Sequence, residues 1–124
     1  MNKNKIEGLA QAILENESRQ LNNVAKQIDK DIVKAAELLM DNSGKLVVCG
    51  LGKSGLIGEK IVATLCSTGT KSVFVHAAEA LHGDLGIYNP GDPTLLISKS
   101  GNTEELVRLI PILREFQSPL IALV

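Results

Sequence analysis

Gly50-Leu51-Gly52-Lys53-Ser54-Gly55 places one lysine and one serine inside a glycine-rich turn that follows the apolar run Leu46–Cys49. The next segment, Leu56 to Leu65, has helical spacing, so the turn lies at a helix N-terminus. Free backbone N–H groups and the helix dipole favour an anion there. Gly52 and Ser54 are candidate phosphate ligands, and Lys53, a lysine between glycines with little to pack, is a candidate for charge neutralisation. A second segment, Ser98-Lys99-Ser100-Gly101-Asn102-Thr103, sets three hydroxyls around another predicted helix start, with Gly101 permitting close backbone approach. Capping by Ser100 or Thr103, with Glu104 or Glu105 in the first turn, accounts for one hydroxyl. Three hydroxyls at one helix start fit a terminal phosphate better, so Ser98, Ser100 and Thr103 are read as phosphate ligands.

Two better-known phosphate loops fit these residues poorly. A Walker A loop needs glycine where Val47 stands. The dinucleotide pattern G-x-G-x-x-G is met by Gly50, Gly52 and Gly55, but the strand Ser72–Val75 ends in His76-Ala77-Ala78 rather than in an acid for the ribose. A purely structural role for the glycines, close packing of helix on strand, stays open beside the phosphate reading. Other residues could move protons. Glu105 alone reads as an acid suited to a helix N-terminus, while His82, followed by Gly83-Asp84, reads as a proton donor, a ligand or an exposed side chain. His76 is expected to shape a pocket. Two histidines without a third spaced ligand do not argue for a metal, and no cofactor is expected.

The elements that must position these residues follow from periodicity. Apolar residues recur at helical spacing from Ile6 through Ile28 and again from Ile32 to Leu39, predicting helices over 4–28 and 31–41, the second capped by Asp29 or Asp31. This arm is either an amphipathic cover or a dimerisation surface. After Asn42-Ser43-Gly44 the pattern becomes strand 46–49, helix 55–67, strand 72–75, a helical turn at 77–81, a loop to Pro93, strand 94–97, helix 103–116 and strand 119–124. Apolar strands alternating with helices predict a parallel sheet covered on both faces, with ligands at the carboxyl ends of the strands. Ending in an uncovered apolar strand, the chain reads as a fragment of a longer protein, with residues 1–42 as helices and 43–124 as the α/β core of one incomplete domain.

Composition narrows the function classes. Apolar residues make up 44% and charged residues 22%, ordinary values for a globular domain. Aromatics at 2% and a net charge of −1 provide neither stacking platforms nor a basic field, against nucleic acid as a partner. No run has membrane-spanning length and the lysines at 3 and 5 precede no apolar signal core, so a cytoplasmic protein without membrane contact is expected. Cys49 and Cys66 lack metal spacing and are expected to be reduced and buried.

Taken together, Gly50–Gly55, Ser67-Thr68-Gly69-Thr70, Phe74–Ala80, His82-Gly83-Asp84-Leu85-Gly86 and Ser98–Glu105 resemble the sugar isomerase (SIS) domain of phosphosugar isomerases, the arabinose-5-phosphate isomerases above all. The resemblance implies a flavodoxin-like three-layer α/β/α sheet domain, incomplete at its C-terminus, and an enzyme interconverting D-ribulose 5-phosphate and D-arabinose 5-phosphate to supply Kdo for lipopolysaccharide or capsule. It implies catalytic roles for Lys53, His82 and Glu105, phosphate binding by Ser98, Ser100 and Thr103, and a further glutamate and histidine beyond residue 124. Lys99 stands where the family often carries a neutral polar residue. A homo-oligomer, dimer or tetramer, is implied too. Two alternatives stay open: a non-catalytic SIS regulator that binds a sugar phosphate, and an isomerase of another phosphosugar.

Overall fold

The computed structural model describes residues 2–124, and the chain divides into two compact units, Met1–Ala36 and Glu37–Val124. The first unit holds helix α1 (Lys3–Ala25) and the start of α2 (Lys30–Met40). Asn2 caps α1, its Oδ1 accepting the Asn4 N–H at 3.3 Å, and Asp29 caps α2, its Oδ1 accepting the Asp31 N–H at 2.9 Å. The first helix stops short of the expected residue 28 because Lys26 and Gln27 close a terminal turn onto Asn22 and Val24. Neither helix has a buried residue: the α1 stripe of Ile6, Leu9, Ile13, Leu14 and Leu21 faces solvent.

The second unit is a parallel sheet of β1 (Leu46–Gly50), β2 (Ser72–His76), β3 (Thr94–Ile97) and β4 (Leu120–Leu123), in the order β2-β1-β3-β4. The central strand β1 is buried along its whole length, as expected of an all-apolar strand covered on both faces. Strand alternation divides the core. Val47, Cys49, Val75 and Leu96 face the side covered by α4 (Ala77–Leu81) and α5 (Glu104–Glu115), where Leu106, Leu109 and Leu113 pack. Leu46, Val48 and Ile97 face the other side, against Ile61, Val62 and Leu65 of α3 (Gly52–Ser67). A three-layer α/β/α arrangement results. Helix α5 continues through Pro111, whose exposed side chain lies away from the buried Leu106–Leu109–Leu113 stripe.

At the amino ends of the strands lies a buried polar network. Asp92 is 2% exposed and accepts hydrogen bonds from Lys45 Nζ, from the Lys45 N–H at 3.2 Å and from the Asn89 N–H at 2.8 Å. Ser118 Oγ donates to the Asp92 carbonyl at 2.7 Å and meets Thr94 Oγ1 at 2.8 Å, which in turn meets the Tyr88 hydroxyl at 3.0 Å. Burial pushes the Asp92 carboxyl up, but the bonds from Lys45 and Asn89 and the Lys45 charge outweigh it and hold the group below its ordinary range.

Three expectations are corrected. Helix α3 begins at Gly52 rather than 55, so Lys53 and Ser54 occupy its first turn and not a preceding loop. A short 3-10 turn, Asp84–Ile87, interrupts the segment read as continuous loop. Cys66 is exposed, because it lies in the last turn of α3 beside the edge strand β2; its thiol contacts Ser72 Oγ and the Ser72 carbonyl, which lower its pKa. Only Cys49 is buried, and burial raises its thiol to about 12.

Candidate functional site

The order in which strands are added reverses between β1 and β3, and these parallel strands are neighbours with Gly50 opposite Ile97. Loops leaving adjacent strand ends at such a reversal go to opposite faces of the sheet and open a crevice between them. One loop is Gly50–Gly52, entering α3; the other is Ser98–Thr103, entering α5.

The glycines of the first loop do two jobs. Gly52 has φ +56°, in the left-handed region, so it forms the turn at little steric cost. Gly50 instead answers a close approach: a Cβ there would lie 3.0 Å from the Gly55 nitrogen and 3.0 Å from the Ser54 carbonyl carbon. Close packing is thus a real part of the motif, as the structural reading of the glycines held. It also has a consequence for binding. Leu51 stands at the N-cap of α3 without a side-chain cap, and among the described residues the Lys53 and Ser54 N–H groups have no partner. Lys53 is exposed and in no ion pair among the described residues. A cation in the first turn of a helix opposes the dipole by about 0.3–1 kcal/mol, which an anion seated there would relieve.

The second loop is held from within. Ser98 is buried, its Oγ accepting the Gly101 N–H at 3.0 Å and lying 2.8 Å from Thr103 Oγ1. Ser100 Oγ accepts the Asn102 N–H at 3.2 Å. Thr103 occupies the N-cap position of α5, yet its hydroxyl turns to Ser98 instead of capping the helix. The N–H groups of Glu104, Glu105 and Leu106 are therefore left without partners among the described residues. Two helices with uncapped N-termini flank one crevice. In the first turn of α5, Glu105 is half-buried and Glu104 exposed, a difference that follows from the roughly 100° between successive helical residues.

The structure thus gathers Gly52, Lys53, Ser54, Ser98, Ser100, Thr103 and Glu105 at the carboxyl ends of β1 and β3. His82 comes from a third segment, after β2 and α4. His82 is the C-cap of α4, is exposed, and makes no side-chain hydrogen bond among the described residues. His76 caps α4, its Nδ1 accepting the Ala78 N–H at 3.3 Å. Sequence reasoning missed a cleft of about 530 Å³ along the outer edge of β2, lined by Glu59, Phe74, His76, Glu79, Asp84 and Ile87. Its three carboxylates, Glu59, Glu79 and Asp84, disfavour a phosphate there. Among the described residues no three His, Cys, Asp or Glu side chains cluster as metal ligands, and no helix is long and apolar enough to cross a membrane.

Comparison with known proteins finds relatives of the chain. Arabinose 5-phosphate isomerase KpsF of Escherichia coli is 46% identical over 111 residues, which cover 89% of this chain and 34% of that protein. Arabinose 5-phosphate isomerase KdsD of Pseudomonas aeruginosa is 50% identical over 97 residues, covering 78% of this chain and 30% of the relative. The chain therefore spans about a third of the length of the curated relatives it matches. A solved structure from E. coli CFT073, in complex with arabinose 5-phosphate, superposes with a TM-score of 0.91 at 38% identity, covering 98% of this chain and 65% of that one. The SIS domain profile matches residues 39–124, which include every strand and both loops of the crevice. By that match, and by the four-stranded parallel sheet it spans, the chain belongs to the SIS-domain family.

Proposed function

We propose that this chain carries the phosphate-binding and part of the catalytic machinery of an aldose–ketose isomerase that interconverts D-ribulose 5-phosphate and D-arabinose 5-phosphate. The observation that carries this reading is the pair of uncapped helix N-termini facing one crevice, with the unpaired Lys53 on one and the half-buried Glu105 on the other. The identity of 45–50% to arabinose 5-phosphate isomerases supports that substrate pair. In the cell the reaction would feed Kdo synthesis for lipopolysaccharide or capsule.

The phosphate is held by the open amides of α3 and α5 and by the hydroxyls of Ser54, Ser100 and Thr103, with buried Ser98 fixing the loop around it. That anchor sets the open-chain sugar against the first turn of α5. Glu105 removes the proton from C2 of the aldose. The C2–H electrons form the C1–C2 double bond, and the C1 carbonyl becomes an enediolate oxygen stabilised by Lys53. A proton passes from the C2 hydroxyl to the C1 oxygen, and the proton on Glu105 returns to C1 to complete the ketose. Residues 1–124 act in this reading as one module, the N-terminal helices serving contact with a second copy. Helix α1 supports that role: its apolar stripe from Ile6 to Leu21 is about 22 Å long at 1.5 Å per residue, and Leu14 and Leu21 are 67% and 71% exposed. An exposed His82 then serves ring opening at a neighbouring copy's crevice rather than at its own.

The test is turnover of D-ribulose 5-phosphate by the intact protein and two variants. Glu105→Gln is expected to lower kcat by about 10²-fold or more, the scale of positioned acid–base catalysis. Glu104→Gln, pointing away, should stay within about threefold of the parent, a surface-sized effect. Equal losses in both variants would overturn the assignment of Glu105. Binding of the sugar phosphate without exchange of the C2 proton would make the chain a sensor instead.

A further inference from the structure

Lys99 stands in the middle of the hydroxyl loop, exposed, between buried Ser98 and exposed Ser100. The described residues form two ion pairs, Lys34–Asp31 and Lys45–Asp92, and Lys99 belongs to neither, although Glu104 and Glu105 follow in the first turn of α5. The loop hydroxyls can donate hydrogen bonds to a phosphate but carry no charge to balance it. Ser98 and Thr103 are bonded to each other, and the Ser98 and Ser100 oxygens accept backbone N–H groups. The charged side chains at the crevice are then Lys53 from the β1 side and Lys99 and the half-buried Glu105 from the β3 side, the exposed Glu104 pointing away. Without Lys99 the Glu105 carboxylate cancels Lys53, leaving no net side-chain charge where a phosphate monoester of charge about −1.5 to −2 must enter. With Lys99 one net positive side-chain charge remains, and the two helix dipoles add to it in favour of the anion.

We propose that Lys99 is a second cation of the phosphate site, matching it to the dianion of a sugar phosphate. This rests on the crevice being a phosphate site, and it adds a specificity-determining residue to that reading. Lys99 lies two residues beyond the end of β3 and Lys53 three beyond the end of β1, strands paired with Gly50 opposite Ile97. A lysine supplies point charge on a flexible stem, without fixed geometry. The signature is therefore electrostatic: dependence on salt and on the charge state of the ligand, with tolerance of arginine.

The experiment is a calorimetric titration of the intact protein with D-arabinose 5-phosphate at low and at high salt, with D-arabinose as the phosphate-free control. Lys99→Gln is expected to weaken binding about three- to tenfold at low salt, the range of one exposed charge-assisted contact. The gap should close at high salt, where screening removes surface attraction. Lys99→Arg should bind as the parent does. Phosphorus NMR of the bound ester should show its second ionisation moved to higher pH by Lys99→Gln, a shift that a merely structural defect would not produce. Parental binding at low salt in Lys99→Gln overturns the role of Lys99 alone. Failure of the parent to bind the ester, or equal binding of D-arabinose, overturns the phosphate site and this inference with it.

Discussion

Gly50→Ala tests whether the seating of α3 on β1 positions the first anion loop. The new Cβ would lie 3.0 Å from the Gly55 nitrogen, 3.0 Å from the Ser54 carbonyl carbon and 3.1 Å from the Ser54 oxygen. All three are backbone atoms, so no side chain can rotate aside; the first turn of α3 must move by a few tenths of an ångström. Overpacking of this kind costs about 1–3 kcal/mol. Replacing a glycine stiffens the unfolded chain and returns about 0.4–1 kcal/mol. The net loss is about 1–2 kcal/mol, equivalent to a fall in Tm of roughly 4–8 °C for a domain of this size. The displaced turn carries the Lys53 and Ser54 amides, so affinity for D-arabinose 5-phosphate should fall by about fivefold or more, the loss of part of one charge-assisted hydrogen bond. Thermal unfolding by circular dichroism and calorimetric titration give the two numbers. Gly86→Ala is the control, since nothing lies within 4 Å of its Cβ and its φ is not in the left-handed region. A Gly50→Ala protein with parental Tm and parental affinity would refute the close-approach account of this glycine.

Two further outcomes follow from the structure. Lys45→Met leaves the Asp92 carboxylate buried without its cation, and the expected cost at neutral pH is about 2–3 kcal/mol, below the roughly 3–5 of a fully buried pair because Lys45 is partly exposed. The folded-state pKa of Asp92 lies below its ordinary value, so this stabilisation is present above the unfolded value near about 3.9 and is lost as pH falls through the folded one. The difference in urea midpoint between parent and variant should accordingly shrink on acidification from about pH 6 to about pH 2; a constant difference counts against an ionic origin. For α1, the double change Leu14→Glu and Leu21→Glu should convert an oligomer into monomers by light scattering while leaving the circular dichroism of the sheet domain unchanged. A parent that is already monomeric at micromolar concentration rules out α1 as a contact between copies.

The sheet was legible because its signals are local and strong. Leu46–Cys49 and Leu95–Ile97 are uninterrupted apolar runs, each followed by glycine or serine and then by helical spacing, and buried parallel strands have that signature. Helix α5 could be read through Pro111 because Leu106, Leu109, Ile110 and Leu113 keep the period, and tertiary burial overrides the propensity of one residue. The onset of α3 was misplaced because Gly52 adopts a left-handed φ at the helix start, a conformation that glycine permits but does not announce. The burial of Cys66 was misread because a helix face is assigned from apolar neighbours, and Cys66 lies one step outside the Ile61–Val62–Leu65 stripe. The Asp92 network was invisible: Lys45, Asp92 and Ser118 are far apart in sequence, and nothing local requires them to meet. The hydroxyl loop was legible in its residue types but not in their partners, since three hydroxyls at a helix start look alike whether they cap the helix or one another.

The two ends of the sheet treat their polar groups in opposite ways, and that contrast locates the chemistry. At the amino ends Asp92, Thr94 and Ser118 satisfy one another with Lys45, Asn89 and Tyr88, and no buried side-chain donor or acceptor among the described residues lacks a partner. A closed network of this kind serves the fold, tying the starts of β1, β3 and β4 together. At the carboxyl ends the same chain leaves helix amides of α3 and α5 uncapped, turns the Thr103 hydroxyl away from the helix it could cap, and sets Lys53 and Lys99 without ion-pair partners among the described residues. A missing N-cap costs about 0.5–2 kcal/mol of stability for each helix. The buried Ser98–Thr103 pairing maintains this arrangement, since it competes directly with capping by Thr103. Thr103→Val removes both the pairing and the potential cap, so it should loosen the loop and weaken phosphate binding. Ser98→Ala instead releases the Thr103 hydroxyl to cap α5, and should stabilise that helix while weakening phosphate binding. If Ser98→Ala lowered stability and left phosphate affinity intact, the loop would be structural and the open amides incidental.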